Sequence, residues 1–309
     1  GLDCPLHVSQ NDGTLMSADF ARRYPVATFA SGPTNSMRGA AFLSGIRDGV
    51  VIDVGGTTSD IGVLVHGFPR EASTAVSVAG VRTNFRMPDV LSLGLGGGSL
   101  VRSANGAAAG VTVGPDSVGY ELTERALVFG GVELTATDVA TAAGMAEIGD
   151  ASTVDALDET LVGDAVDRMQ DMLSTAVEQM KTSADPVPVV IVGGGGVLVR
   201  DGLAGASETI RPDHFSVASA IGAAIAQVGA ETDRVYSMAS MTRDEAMTEA
   251  RSVTAQRAVD AGADAATVEI TDVDEIPLTY LPSNAIRIRV KAVGDLAAGN
   301  GASSGGAGT

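Results

Sequence analysis

The chain has 309 residues, 45% of them hydrophobic, and this length is enough to bury a substantial core in one large domain or two smaller ones. The formal net charge is -18 and no run of 18 apolar residues occurs, which argues against binding to nucleic-acid phosphate and against a transmembrane helix. The acidic composition fits either an ordinary solvated surface or adaptation to high salt, and the single cysteine, Cys4, fits a cytoplasmic location.

Glycine-rich apolar segments mark three places in the first two-thirds of the chain. Residues 50–67 are an apolar run, a Gly-Gly pair and an alternating apolar run, which predicts strand, tight turn and strand. Residues 91–101 form the second segment. The third, residues 187–199, is a continuous apolar run that leads into four glycines and predicts a buried strand.

Helical spacing of apolar residues predicts helices at 155–181, 216–228 and 243–261. Two strand patterns, TVEIT and AIRIRVKAV, follow the last helix. Strands that alternate with helices predict an α/β fold. We expect a first domain over residues 1–237, a small α+β module over 238–298, and a disordered Gly/Ser-rich tail over 299–309.

The segment from Asp53 to Asp60, DVGGTTSD, carries the main chemical pattern. Its glycines, Gly55 and Gly56, leave a turn whose backbone N–H groups can approach an anion closely, and Thr57 and Thr58 add hydroxyl donors. Asp53 and Asp60 point toward the same end of the hairpin, where two carboxylates beside phosphate suit Mg²⁺ or can orient an attacking group. The alternative is a plain β-hairpin whose glycines only make the turn, which the full pattern disfavours.

This segment resembles the second phosphate loop of the actin/Hsp70/sugar-kinase superfamily, and further segments narrow the resemblance to the hydantoinase/5-oxoprolinase family. They occur in the family's order and cover nearly the whole chain: SQNDGTLMS (9–17), ATFASGPTNSMRGAAFLSG (27–45), SLGLGGGSLVR (92–102), GGVELTATDV (130–139), VASAIGAAIA (217–226) and the closing stretch at 276–296. The resemblance implies a ribonuclease H-like, actin/Hsp70-type lobe with a mixed sheet flanked by helices.

The resemblance also implies a function and a set of ligands. It implies ATP-dependent opening of a cyclic amide such as a hydantoin, 5-oxoproline or a lactam, through phosphorylation of the amide carbonyl oxygen. It implies ATP and Mg²⁺ as cofactors, with K⁺ as a further candidate ion, and Asp53 and Asp60 near the metal and the γ-phosphate. It assigns the adenosine loop to Gly193, Gly194, Gly195 and Gly196. These glycines follow a buried strand, where bare backbone can pack against a flat ring, or else they form a helix-entry turn.

Weaker substrate candidates each have a structural alternative. Asn11 and Asp12 form a polar turn that is either a contact to substrate or an ordinary Asx turn. Ser31 is either an anion contact at a helix start or, with Thr34, a candidate helix N-cap. Two glycines of the second segment, Gly97 and Gly98, either contact ligand or make a tight turn. We expect Thr135, Thr137 and Asp138 to begin a helix.

The chain departs from the family pattern in two places. Family members open with a D-x-G-G-T-x-x-D hairpin, and no such segment precedes residue 50. We therefore expect the chain to be inactive alone, whether as a fragment, a split-gene product or a decayed homologue. The resemblance implies as partners the N-terminal hydantoinase A lobe and a hydantoinase B-type subunit. Residues 114–131 replace the family's Pro- and Gly-rich sequence and leave the substrate open. A ketone-carboxylase subunit and a non-catalytic actin-like scaffold are the alternative functions.

Overall fold

The computed structural model describes residues 6–72, 77–78, 81–82, 87–103, 110–278 and 285–297. Cys4 and the predicted tail at 299–309 lie outside these residues. The helices are α1 Ala18–Arg23, α2 Ser31–Ser44, α3 Leu122–Arg125, α4 Ala136–Ala142, α5 Glu159–Met180, α6 Ala218–Ala224 and α7 Arg243–Asp260. No helix in the described part of the chain is both long and apolar enough to cross a membrane.

The strands are short near the glycine-rich segments and long at the C-terminal end. In chain order they are β1 His7–Ser9, β2 Leu15–Ser17, β3 Gly49–Val54, β4 Ser59–Val65, β5 Phe68–Pro69, β6 Ser77–Val78, β7 Val81–Arg82, β8 Val90–Leu93, β9 Ser99–Ser103, β10 Val111–Ser117, β11 Val187–Val192, β12 Ala206–Ile210, β13 Val228–Tyr236, β14 Glu269–Leu278 and β15 Ala285–Gly294. Strands and helices alternate along much of the chain, and the predicted α/β class is confirmed.

The chain divides into two compact units. The larger unit contains residues 11–13 and 30–225, and the smaller unit contains residues 1–10, 14–29 and 226–309. This division differs from the expected boundary after residue 237. The reason is that β13 pairs along its whole length with β15, and Leu15 of β2 pairs with Val228 of β13, so one sheet joins distant parts of the chain.

A mixed sheet of order β12-β11-β3-β4-β5 forms the centre of the larger unit, with β8 beside β4. Strands β12, β11 and β3 are parallel, and β4 is antiparallel to β3. On one face, Val50, Ile52 and Ile191 join a core with the buried stripe of α5. That stripe is the one predicted from helical spacing, and Asp158 begins the helix by accepting a hydrogen bond from the Leu161 N–H at 2.9 Å. The long predicted helix is confirmed.

Helices α2 and α6 cover the opposite face, and glycines bring them into close contact. An added Cβ on Gly39 would lie 1.9 Å from the Ala218 carbonyl oxygen, and one on Gly222 would lie 1.8 Å from the Asn35 carbonyl oxygen. The close packing expected of a small-residue helix is therefore present. The helix is shorter than its predicted range of 216–228, because Val228 already belongs to β13.

The smaller unit has a sheet of order β1-β2-β13-β15-β14. Helix α7 packs on it through Ala246 and Ala250, which contact a cluster containing Ile288 and Val290. Thr242 and Glu245 form a reciprocal capping box that fixes the start of α7. The predicted helix at 243–261 and both predicted C-terminal strands are confirmed, although β14 runs on to Leu278.

Candidate functional site

The hairpin of β3 and β4 carries the predicted phosphate turn. Gly55 donates its N–H to the Thr58 carbonyl oxygen at 2.9 Å, which closes the turn. Asp53 and Asp60 are direct partners in the antiparallel register, so both carboxylates lie on the same face of the sheet. Gly56, Thr57 and Thr58 are exposed. The hairpin thus presents a bare turn next to two carboxylates.

Asp53 and Asp60 lie in different surroundings. Burial raises the pKa of the Asp53 carboxyl above its usual value, a hydrogen bond with the Ser36 side chain opposes this, and the negative charge of Asp60 adds to it. Asp60 instead accepts a hydrogen bond from the Ser92 hydroxyl at 2.5 Å. Ser36 lies on α2 and Ser92 lies opposite Asp60 on β8. Neither serine could be assigned from the sequence, because helix packing places Ser36 and strand register places Ser92.

The raised pKa of Asp53 predicts how stability depends on pH. A carboxyl whose pKa is higher in the folded protein favours folding while protonated, and this contribution is lost as pH rises through the folded-state pKa. We therefore expect Asp53→Asn to raise the thermal unfolding midpoint at pH 7 and to have much less effect near pH 3. Thermal melts of both proteins across this range check the expectation. An equal shift at both pH values would contradict it.

The second predicted loop lies directly against the first. Gly193 has φ +85°, and an added Cβ there would lie 2.2 Å from Asp53 Oδ1 and 2.4 Å from the Val54 carbonyl oxygen. An added Cβ on Gly195 would lie 2.7 Å from the Gly55 carbonyl oxygen. Residues Gly194–Leu198 then form a turn of 3-10 helix. The hairpin turn and the glycine loop therefore lie in contact at the end of β3.

Two glycines of the site have no packing reason to be glycine. Nothing lies within 4 Å of an added Cβ on Gly56 or Gly194, and neither has a positive φ. Both are exposed, one on the hairpin turn and one on the glycine loop. Gly196, in contrast, is buried against Ile191 and Phe215, and a Cβ there would lie 3.1 Å from each side chain. Bare backbone is thus presented to solvent at two points of the site.

Gly96, Gly97 and Gly98 pack against the backbone of the hairpin turn. Gly97 donates its N–H to the Gly55 carbonyl oxygen at 3.0 Å, and Gly98 donates to the Gly56 carbonyl oxygen at 2.7 Å. An added Cβ on Gly96 would lie 2.6 Å from the Thr57 nitrogen. These contacts favour the tight-packing alternative for Gly97 and Gly98 over a contact to ligand, since their N–H groups already bond to the turn.

The remaining candidates are less closely tied to the hairpin. Asn11 and Asp12 form a turn, and the Asn11 amide nitrogen lies 3.6 Å from Met87 Sδ. Ser31 is the first residue of α2, and the N-cap is Ala30, without a side-chain capping bond. The N-cap alternative for Ser31 and Thr34 is therefore wrong. The Thr34 hydroxyl instead donates to the Ser31 carbonyl oxygen at 3.0 Å, within the helix.

The predicted helix start at 135–138 is confirmed. Thr135 and Asp138 form a capping box at the start of α4, with both side chains fully buried. The Thr137 hydroxyl donates to the Gly97 carbonyl oxygen at 2.8 Å. This helix start therefore anchors the glycines that support the hairpin turn.

The donor set fits Mg²⁺ bound together with phosphate. In the described residues no group of three or more His, Cys, Asp or Glu side chains is placed to hold a metal ion. Mg²⁺ in phosphate-binding enzymes is commonly held by one or two carboxylates, with waters and phosphate oxygens completing its shell. Asp53 and Asp60 provide such a pair beside a turn that can accept phosphate.

Comparisons with known proteins identify relatives of both the sequence and the fold. A family model described as hydantoinase/oxoprolinase matches residues 1–149. The chain is 30% identical over 125 residues to the acetophenone carboxylase gamma subunit of Aromatoleum aromaticum, an alignment covering 40% of this chain and 17% of that protein. That relative is named as one subunit of an assembly.

Two solved structures share the fold. The nucleotide-free structure of acetone carboxylase, from a study of ATP-dependent acetone carboxylation, matches with a TM-score of 0.67 and 18% identity. The ATP-dependent caprolactamase of Pseudomonas jessenii matches with a TM-score of 0.63 and 17% identity. Each match covers 94% of this chain and 53% of the other, so the chain spans about half the length of these relatives. The expected fold class, a mixed sheet flanked by helices, is confirmed.

Proposed function

We propose, from the premise that residues 1–149 belong to the hydantoinase/oxoprolinase family, that this chain forms one wall of the ATP site of a cyclic-amide hydrolase. The observation that carries the proposal is the contact between the two loops. Gly193 lies against Asp53, and the exposed backbone of Gly56 and Gly194 flanks the carboxylates. The caprolactamase with the same fold is itself named as ATP-dependent and supports a lactam-type substrate.

The residues of this chain have distinct parts in the proposed reaction. MgATP, when bound, supplies the phosphoryl group that converts an unreactive amide carbonyl oxygen into a leaving group. The Gly56–Thr58 turn binds phosphate oxygens through backbone N–H groups and hydroxyls. Asp60 and Asp53 would hold Mg²⁺ bound with the phosphates, and either carboxylate could orient an attacking group. Gly194 offers bare backbone to the adenosine.

A ketone-carboxylase subunit is the second candidate function, and the sequence match to the acetophenone carboxylase gamma subunit favours it. Both functions share phosphoryl transfer to a substrate oxygen and differ in the substrate. A non-catalytic scaffold is the third alternative, and retained activity of an Asp53→Ala variant in the complete assembly would favour it.

The partners that we propose are the first lobe with the other phosphate hairpin and a hydantoinase B-type subunit. The cytoplasmic location, the K⁺ requirement and substrate contacts from Asn11, Asp12 and Ser31 stay predictions.

Binding of MgATP tests the proposed site directly. We expect the chain to bind MgATP weakly by calorimetry, and Asp60→Asn to weaken it about tenfold, because a magnesium ligand loses its charge. Asp116→Asn is the matched control, since this exposed carboxylate of β10 pairs with Arg102 and not with a residue of the hairpin. An Asp60→Asn variant with unchanged affinity would exclude the assigned metal role.

Turnover distinguishes the two enzyme functions. We expect no ATP hydrolysis by this chain alone, and hydrolysis in an assembly that contains the first lobe. Hydantoins, 5-oxoproline and a lactam should stimulate that hydrolysis under the first proposal. Ketones with bicarbonate should stimulate it under the second.

A further inference from the structure

The Asp60 carboxylate of the hairpin has a serine partner from outside the hairpin. Asp60 pairs in register with Asp53 on one side and with Ser92 on the other, so these three side chains form a row on one face of adjacent strands. The Ser92 hydroxyl donates to Asp60 Oδ1 at 2.5 Å.

A hydrogen-bond donor restricts the side-chain rotation of the carboxylate that accepts the bond. An aspartate next to a second negative charge favours conformers that move the two charges apart. A hydroxyl donor that occupies Oδ1 of Asp60 holds the carboxylate plane and leaves Oδ2 for another ligand. A hydrogen bond to a charged acceptor is also stronger than one between neutral groups. The serine contact therefore selects one orientation of the carboxylate before any cation arrives.

Packing of the Ser92 side chain does not explain its hydrogen bond to Asp60. The side chain is exposed on β8, and β8 pairs with β4 at this row. Ser59, one residue before Asp60, uses its hydroxyl differently, since it is fully buried and donates to the Leu95 carbonyl oxygen at 2.7 Å. Ser59 thus hydrogen-bonds to the backbone, whereas Ser92 hydrogen-bonds to the Asp60 carboxylate.

We propose that Ser92 is a positioning residue that orients Asp60 toward a divalent cation shared with Asp53. This inference rests on the proposed function, because it presumes that the two carboxylates hold the metal. Loss of the Ser92 hydroxyl leaves both carboxylates in place but gives Asp60 a wider range of orientations, so we expect metal binding to be weakened and not abolished.

Binding of Mn²⁺ alone to the chain tests the inference, with the bound ion measured by electron paramagnetic resonance. We expect Ser92→Ala to weaken Mn²⁺ binding about fivefold, in line with the loss of one hydrogen bond to a charged group. Ser92→Thr keeps the hydroxyl and should restore most of the affinity. Ser103→Ala, on the exposed end of β9, is the matched control and should leave the affinity unchanged.

Because Ser92 is exposed, we expect its variants to fold like wild type, and thermal melts of each variant check this. If Asp60→Asn lowers Mn²⁺ affinity while Ser92→Ala binds like wild type, the positioning role is overturned and the metal site stands. If wild type itself binds no Mn²⁺, the metal role of the hairpin fails and the positioning role fails with it.

Discussion

Gly193→Ala should destabilise the larger unit by about 3 kcal/mol and abolish MgATP binding. Gly193 has φ 85° and ψ 153°, a backbone conformation that is nearly restricted to glycine. A Cβ there would also overlap Asp53 Oδ1 and the Val54 carbonyl oxygen, at 2.2 and 2.4 Å. The loop or the Asp53 carboxylate must therefore move. Urea unfolding measures the stability loss, and calorimetry measures nucleotide binding.

Gly194→Ala is the matched control for this prediction. It lies next to Gly193 on the same loop, but it is exposed and an added Cβ meets no atom within 4 Å. We expect its stability to stay within about 0.5 kcal/mol of wild type. Because only a ligand would contact the added methyl group, weaker MgATP binding by a stable Gly194→Ala protein would support the adenosine loop. A Gly193→Ala protein with an unchanged urea midpoint would contradict the packing argument.

Asp138→Ala should cost about 3 kcal/mol of stability in the larger unit. The carboxylate is fully buried and accepts hydrogen bonds from the Val128 N–H at 2.8 Å, the Thr135 N–H at 2.7 Å and the Thr135 hydroxyl at 2.8 Å. Alanine would leave these donors buried without an acceptor and would remove the capping box of α4. Urea unfolding of the variant measures the loss.

Asp158→Ala separates this effect from the ordinary loss of a helix cap. Asp158 caps α5 through one bond to the Leu161 N–H, and it is exposed, so water can replace that bond. We expect a loss of about 1 kcal/mol there. Similar losses for Asp138→Ala and Asp158→Ala would show that burial adds nothing to the cost. Because Thr137 bonds to Gly97, a loosened α4 should also weaken MgATP binding, while Asp158→Ala should not.

Local sequence was sufficient for the elements whose partners are close in the chain. The hairpin from Asp53 to Asp60 was predictable because a Gly-Gly turn between two apolar runs forms with little loop-closure cost. Helix α5 was predictable because its apolar residues recur at helical spacing along its length. The order of several specific segments also indicated the family and the fold class, which the fold comparison confirms.

Tertiary structure decided the features that depend on distant partners. Gly193 follows Asp53 by well over a hundred residues, and only the parallel pairing of β11 with β3 brings the two together. Ser92 reaches Asp60 through the register of β8 on β4, and β13 joins the smaller unit because its hydrogen-bonding edge is completed by β15. A strand can be recognised from its own residues, but which strands pair with it in the sheet depends on the packing of the whole chain. The sequence by itself therefore determined the hairpin with its two carboxylates and glycine turn, whereas packing decided which glycines are structural and which serine hydrogen-bonds to Asp60.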